Sequence, residues 1–236
     1  HMLRQSVKKT GHAHVLAANI DQAMLIVTQS SPRTSLGFID RFLVTAESFG
    51  IPQVLVFNKR DLLDDEGLQA QQVLIDLYTG LGITCLMTSA VNNEQATLKK
   101  IIEHKITLVA GHSGVGKSTL INQVANIDQR TASISRFSDK GTHTTTFAEM
   151  FQIGDNTFII DTPGVKEWGL VDMQQQELSD YFPEMRDRRQ HCKFTSSCLH
   201  MNEPGCAIAE AVNAGLIAAS RYDSYVSMLT GKDNRK

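Results

Sequence analysis

Residues 106–125 read ITLVAGHSGVGKSTLINQVA, and their centre, GHSGVGKS at 111–118, fits the pattern G-x-x-x-x-G-K-[ST]. An apolar, strand-like run precedes the match and a helix-compatible run follows it, which is the context a phosphate-cradling loop requires. Glycines at 111, 114 and 116 let the backbone wrap, so that its N–H groups and the positive end of the following helix converge on a β-phosphate. Within the loop His112, Ser113, Val115 and Thr119 complete the expected binding surface, Lys117 is expected to reach the β- and γ-oxygens, and Ser118 is expected to ligate Mg²⁺. This much specifies a nucleoside triphosphate without specifying the base.

Outward from that loop, short apolar runs alternate with longer amphipathic ones, the mark of a mostly parallel α/β sheet covered on both faces. Strands are predicted at 23–29, 53–58, 84–89, 106–111, 147–153 and 157–161, with helices at 35–49, 64–80, 93–104 and 117–125. In FAEMFQIGDNTFIID (147–161) two strand-like runs flank Gly-Asp-Asn, so a hairpin with an antiparallel edge is expected and the sheet becomes mixed. Beyond about 172 the strand signals stop, and a helical unit is expected over 172–236, following an α/β domain over 1–171.

The base is read upstream. NKRD (58–61) follows the run QVLVF, so it sits at a strand's carboxyl end, where open α/β sheets bind ligands. Asp61 there can accept two hydrogen bonds from guanine's ring N–H and amine, a pairing adenine cannot supply. Asn58 is expected to bond the purine's other edge and the neighbouring loop, and the Lys59 stem to cover the ring. TSA (88–90) ends the next strand, so Ser89 and the Ala90 N–H join the set, the latter as a donor to guanine's carbonyl oxygen. DTPG (161–164) places Asp161 to hold Mg²⁺ and the Gly164 N–H near the γ-phosphate. In the polar loop RFSDKGTHTTTF (136–147) a threonine completes the Mg²⁺ shell, Thr144 first and Thr145 next. An ordinary GTPase carries its phosphate loop before its base reader; here the order is reversed, so the domain is circularly permuted.

Composition fits this reading: 236 residues, 42% hydrophobic and 20% charged, describe an ordinary globular chain, and a formal charge of −2 does not announce a nucleic-acid binder. Arg186, Arg188, Arg189 and Lys193 nonetheless fall within eight residues. No apolar run approaches the roughly 20 residues of a membrane span, so a cytoplasmic protein without membrane association is expected. The leading His-Met of HMLR reads as a cloning scar, and the natural protein is expected to extend upstream.

Cys192, Cys198, His200 and Cys206 form C-x5-C-x-H-x5-C. Three thiolates and one imidazole in so short a stretch suit a closed, tetrahedral, structural Zn²⁺ site, with His191 competing for the fourth position. Cys85, alone in an apolar run, reads as plain core.

Taken together, AANIDQAMLIVTQSSP, IDRFLVTAESFGIPQVLVFNKRDLL, GHSGVGKSTLIN, GTHTTT, DTPGVKEWGL and the Cys/His cluster closely resemble the RsgA (YjeQ) family of circularly permuted, small-ribosomal-subunit-dependent GTPases. The resemblance implies GTP and GDP as ligands with Mg²⁺, a zinc-binding C-terminal domain, the 30S subunit and its rRNA as partners, a monomer, and an OB-fold RNA-binding domain upstream. Thr142 departs from the basic residue expected at that position, which bears on the charge of the switch loop. Where many GTPases carry a water-orienting glutamine, this chain has Val165 and then Lys166, so slow intrinsic turnover is expected, with His143 as the in-chain catalytic candidate beside Lys117. Two rivals remain: a permuted GTPase of the large subunit, and a GTP-binding, zinc-dependent RNA-binding scaffold with negligible turnover.

Overall fold

The sheet is laid down by alternation. In β3 (Gln22–Val27) Leu25 and Val27 pack on one face while Met24 and Ile26 pack on the other; β4 (Gln53–Phe57) repeats the pattern with Leu55 and Phe57 against Val54 and Val56. Strands buried on both faces read as continuous apolar runs, and a parallel sheet follows. Each such fully buried side chain contributes about 1.5–3 kcal/mol. The computed structural model describes residues 2–6, 13–89, 96–126, 148–162, 170 and 173–232.

With β5 (Thr84–Met87), β6 (Ile106–Ala110), β7 (Glu149–Gly154) and β8 (Thr157–Asp161), the sheet has six strands in the order β5-β4-β3-β6-β8-β7. All neighbours are parallel except β7 and β8. The expected hairpin is therefore present, but its turn is tighter than the Gly-Asp-Asn reading: Gly154 pairs with Thr157 across Asp155 and Asn156, and Asn156 takes the left-handed region at φ 47°. Helices α1 (Leu36–Glu47) and α2 (Asp65–Gly80) cover one face, α3 (Ala96–Ile102) and α4 (Lys117–Asn126) the other. Asp64 caps α2 by accepting from the Gly67 N–H at 2.8 Å.

The chain winds from β3 out to β5, then returns to lay β6 on the other side of β3. The winding direction thus reverses between β3 and β6, and the crevice outside the carboxyl ends at such a reversal is where α/β sheets take ligands. The phosphate-type loop leaves β6 at that point. A separate antiparallel pair, β1 (Met2–Ser6) with β2 (Ala13–Ala18), precedes the sheet. Sequence patterning assigns no element there, because neither MLRQS nor AHVLAA alternates.

After β8 the described chain resumes in short pieces: a 3₁₀ segment at Gln175–Tyr181, α5 (Pro183–Arg186), 3₁₀ turns at Arg189–His191 and Thr195–Ser197, α6 (Ala207–Asn213) and α7 (Ala219–Thr230). Their core, including Phe182, Met185, Ile208, Ile217 and Tyr225, takes in Val44 from α1, so this unit seats on the α/β domain through that helix. No described helix is long and apolar enough to cross a membrane.

Candidate nucleotide and metal sites

Two glycines of the loop are dictated by close approach. Gly111, at φ 157°, would place a Cβ 2.7 Å from the Ile26 carbonyl oxygen, and a Cβ on Gly116, at φ 91°, would run into the Asn58 amide. The second clash marks a deliberate junction. Asn58, 1% exposed at the end of β4, donates through Nδ2 to the Val115 carbonyl at 2.9 Å and accepts through Oδ1 from Thr88 Oγ1 at 3.1 Å. It stitches together the ends of β4, β5 and the loop after β6. Of its two expected roles, the one toward the neighbouring loop is the one this geometry contains.

Lys59, in the left-handed region at φ 62°, donates from Nζ to the Ser31 carbonyl at 2.6 Å. Ser31 belongs to the loop after β3, which is closed on itself by Thr34 N–H to Thr28 O at 2.8 Å and Thr28 N–H to Thr34 Oγ1 at 3.2 Å. Asp61, exposed in the 3₁₀ turn Arg60–Leu62, accepts from Oγ of the fully buried Ser89 at 2.6 Å, which aims its carboxylate. Lys117, opening α4, pairs with the Asp161 carboxylate and donates to the Thr162 carbonyl at 3.2 Å. Ser113, Gly114, Ser118 and Thr119 are exposed around it. The His112 ring lies against Phe38 of α1, with centroids 3.9 Å apart, and burial lowers its pKa and so favours the neutral imidazole.

These residues line one edge of the sheet. Ala90, His143, Thr144 and Gly164, with Thr145, Val165 and Lys166, lie outside the described residues.

In the C-terminal unit the ligand atoms of Cys192, Cys198, His200 and Cys206 all lie within 4.8 Å of one another, and all four residues are buried. The Cys192 Sγ–His200 Nδ1, Cys206 Sγ–His200 Nδ1 and Cys192 Sγ–Cys206 Sγ separations are 3.6, 3.4 and 3.9 Å. A tetrahedral shell with Zn–S about 2.3 Å and Zn–N about 2.0–2.1 Å sets neighbouring ligands about 3.5–3.8 Å apart, so the donor set fits that ion. His200 presents Nδ1 to the sulfurs, and its Nε2 lies 3.3 Å from Ser179 Oγ, the outer partner that fixes a ligating imidazole. His191 is exposed and outside the group. Burial pushes the Cys198 thiol up to about 12 and raises Cys206, whereas a bound cation would favour the thiolates.

The loop around the ligands is tied down from two sides. Glu203 accepts from the N–H groups of Leu199 and Met201 at 2.8 Å each and of Asn202 at 3.1 Å. From α7, Tyr222 and Tyr225 donate to the carbonyls of His200 and Leu199 at 2.6 and 2.9 Å.

Residues 1–171 match the RsgA GTPase family. Over its whole length the chain is 45% identical to the small ribosomal subunit biogenesis GTPase RsgA of Bacteroides fragilis, covering 76% of that protein. The chain belongs to the RsgA GTPase family. The small ribosomal subunit biogenesis GTPase RsgA 2 of Bacteroides thetaiotaomicron is 47% identical, again over the whole chain and 76% of the relative. Among solved structures, YjeQ from Thermotoga maritima superposes with TM-score 0.77 at 34% identity, and YloQ, described as a circularly permuted GTPase, with 0.74 at 26%. The whole chain is covered in both cases, against 77% and 80% of those chains.

This RsgA-family chain also holds a charge cluster that no motif announces. Arg221 of α7, 1% exposed, donates from Nη1 to Asp40 of α1 and from Nε to Glu184 of α5, at 2.6 Å each. Tyr78 of α2 donates to the same Asp40 oxygen at 2.8 Å, and Phe182 lies under the guanidinium, 4.7 Å from it. Burial lowers the Arg221 pKa, but Asp40 and Glu184 outweigh it and the group stays charged. Arg221, Asp40, Tyr78 and Glu184 come from four separate helices, so only the fold reveals them.

Proposed function

We propose that this chain hydrolyses GTP in late assembly of the small ribosomal subunit, with turnover raised by the subunit itself. The carrying observation is the Asn58 junction, which locks the base-reading strand ends to the phosphate loop through the Val115 carbonyl, 57 residues away in sequence. Such a bond makes sense when one ligand spans both loops. The likeness, over the whole of this chain, to relatives whose names carry the small ribosomal subunit supports the choice of partner.

In this reading Asp61, aimed by Ser89, accepts from guanine's N–H and amine, Ala90 donates to its carbonyl oxygen, and Lys59 lies along the ring. The N–H groups of 111–119 and Lys117 hold the phosphates, where the Asp161 carboxylate and a phosphate oxygen are equivalent partners for the ammonium. Ser118, Asp161 and Thr144 would hold Mg²⁺, which when bound neutralises charge between the β- and γ-oxygens. The Gly164 N–H is assigned to the γ-phosphate and His143 to the attacking water. The Cys192, Cys198, His200, Cys206 set would hold Zn²⁺ in a structural role, its four donors filling a tetrahedral shell. We assign 1–171 to the GTPase domain and 172–236 to the zinc unit, working as a cytoplasmic monomer off the membrane.

GTP hydrolysis measured alone, with 30S particles and with 50S particles tests the proposal. Acceleration by 30S alone is expected; equal acceleration by both, or by neither, sinks it. Asp61→Asn should shift preference from guanine to xanthine nucleotides, and the parent should favour GTP over ATP by a factor of order 10⁴.

A further inference from the structure

The basic run 186–193 divides once it is folded. Arg186 pairs with Glu47 at 2.8 Å and Arg189 pairs with Asp180. Among the described residues, neither Arg188 nor Lys193 meets a carboxylate. Lys193 instead holds its ammonium 5.8 Å from the ring centre of Phe194.

Phe194 is out of place for a core residue. It is 42% exposed, between two buried metal ligands, in a loop whose other members from Lys193 to Ser197 are polar and exposed. Beside it opens a concavity of about 510 Å³, walled by Phe194, Leu199, Met201 and Pro204. The loop is tied down: Lys193 N–H donates to the Gly205 carbonyl at 3.0 Å and Ser197 Oγ donates to the Phe194 carbonyl at 2.9 Å, while Cys192 and Cys198 at its two ends are buried. Glu203 also lines the concavity, but both of its oxygens are turned to backbone N–H groups.

We propose that Phe194 and Lys193 form a stacking platform for an unpaired base of single-stranded RNA. This rests on the ribosomal-RNA reading above and gives it a location. A base supplies a π-face for the Phe194 ring, and its phosphate supplies the carboxylate-like anion that Lys193 does not meet among the described residues; aromatic–base stacking beside a cation is how single strands are held without sequence choice. An apolar peptide would use the wall but leave Lys193 without a counter-ion.

The test is binding of a fluorescein-labelled hexaadenylate to the zinc-loaded full chain by anisotropy, with no GTP and no ribosomal particles present. Phe194→Ala should weaken binding about tenfold or more, with zinc content unchanged. Phe194→Trp should keep the affinity and show emission quenched by the oligonucleotide, and Lys193→Gln should lower the salt slope by about one. Absence of binding by the parent, equal binding of an RNA duplex, or full affinity in Phe194→Leu, which shows that no base stacks on the ring, overturns the platform. Because turnover is not read, failure here leaves the 30S-stimulated hydrolysis to stand or fall by its own assay.

Discussion

The nucleotide edge and the zinc unit are both built around short motifs, yet they are held in opposite ways. At the sheet edge the binding loops hang from strands buried on both faces, and side chains such as Asn58 and Ser89 are spent on tying loop to loop. In the zinc unit the ligands lie between short elements, Cys192 and Cys198 just after 3₁₀ turns and Cys206 just before α6, and three of the buried core residues are the cysteines themselves. The edge is preorganised by backbone pairing; the unit carries a Cys3His group inside its core that could hold a metal ion. Chemistry at the edge should therefore be sensitive to single side chains while its shape persists, and the reverse should hold in the zinc unit.

The largest test removes the metal. Cys198→Ser, or chelation, should take zinc from one per chain to nearly none and raise hydrogen exchange across 186–210, since structural zinc supplies on the order of 10 kcal/mol to such modules. GTP affinity should change by no more than about threefold. A collapse of nucleotide binding together with the zinc would show that the edge is not independently organised. Next, Lys117→Ala should cut turnover at least about a thousandfold by removing the positive charge at the β/γ bridge, with the thermal midpoint little moved; a large loss of stability would blur the distinction. Arg221→Met should cost about 3 kcal/mol or more in denaturant unfolding, because Asp40 and Glu184 then stay buried without a counter-ion. Adding Asp40→Asn and Glu184→Gln should recover part of it.

The smallest effect concerns pH. The His112 pKa is lowered from 6.5 in the fold. The unfolded chain therefore binds the proton more readily, so the stability that neutral His112 contributes is present above about 6.5 and is lost as pH falls below it. Thermal midpoints of parent and His112→Asn, compared between pH 7.5 and 5.5, should converge toward acid; a constant difference would rule the stack out.

Much of the sheet edge is legible in sequence because its chemistry is local: a cradle needs its glycines and lysine in one stretch, and the strands feeding it are continuous apolar runs. The same holds for the metal ligands. What is not legible is partnership across distance. The Asn58–Val115 bond and the Asp40–Arg221–Glu184 cluster depend on elements that meet only in three dimensions. The four cations of 186–193 stand as one run in the sequence because spacing shows charge without counter-charge, and Glu47, which pairs with Arg186, lies 139 residues away.

Helix α1 has an angular phase that its composition conceals. Asp40, Val44 and Glu47 recur at steps of four and three, one stripe of a 3.6-residue helix, and all three engage the C-terminal unit. Phe38, on the same helix, meets His112 of the phosphate loop. One extra residue inserted between Phe38 and Asp40 would turn everything beyond it by about 100°, carrying the stripe away from Arg221 and Arg186 while Phe38 kept its place. The length of that short stretch is thus fixed from both ends at once, by an aromatic contact at the phosphate loop and by a buried guanidinium on α7.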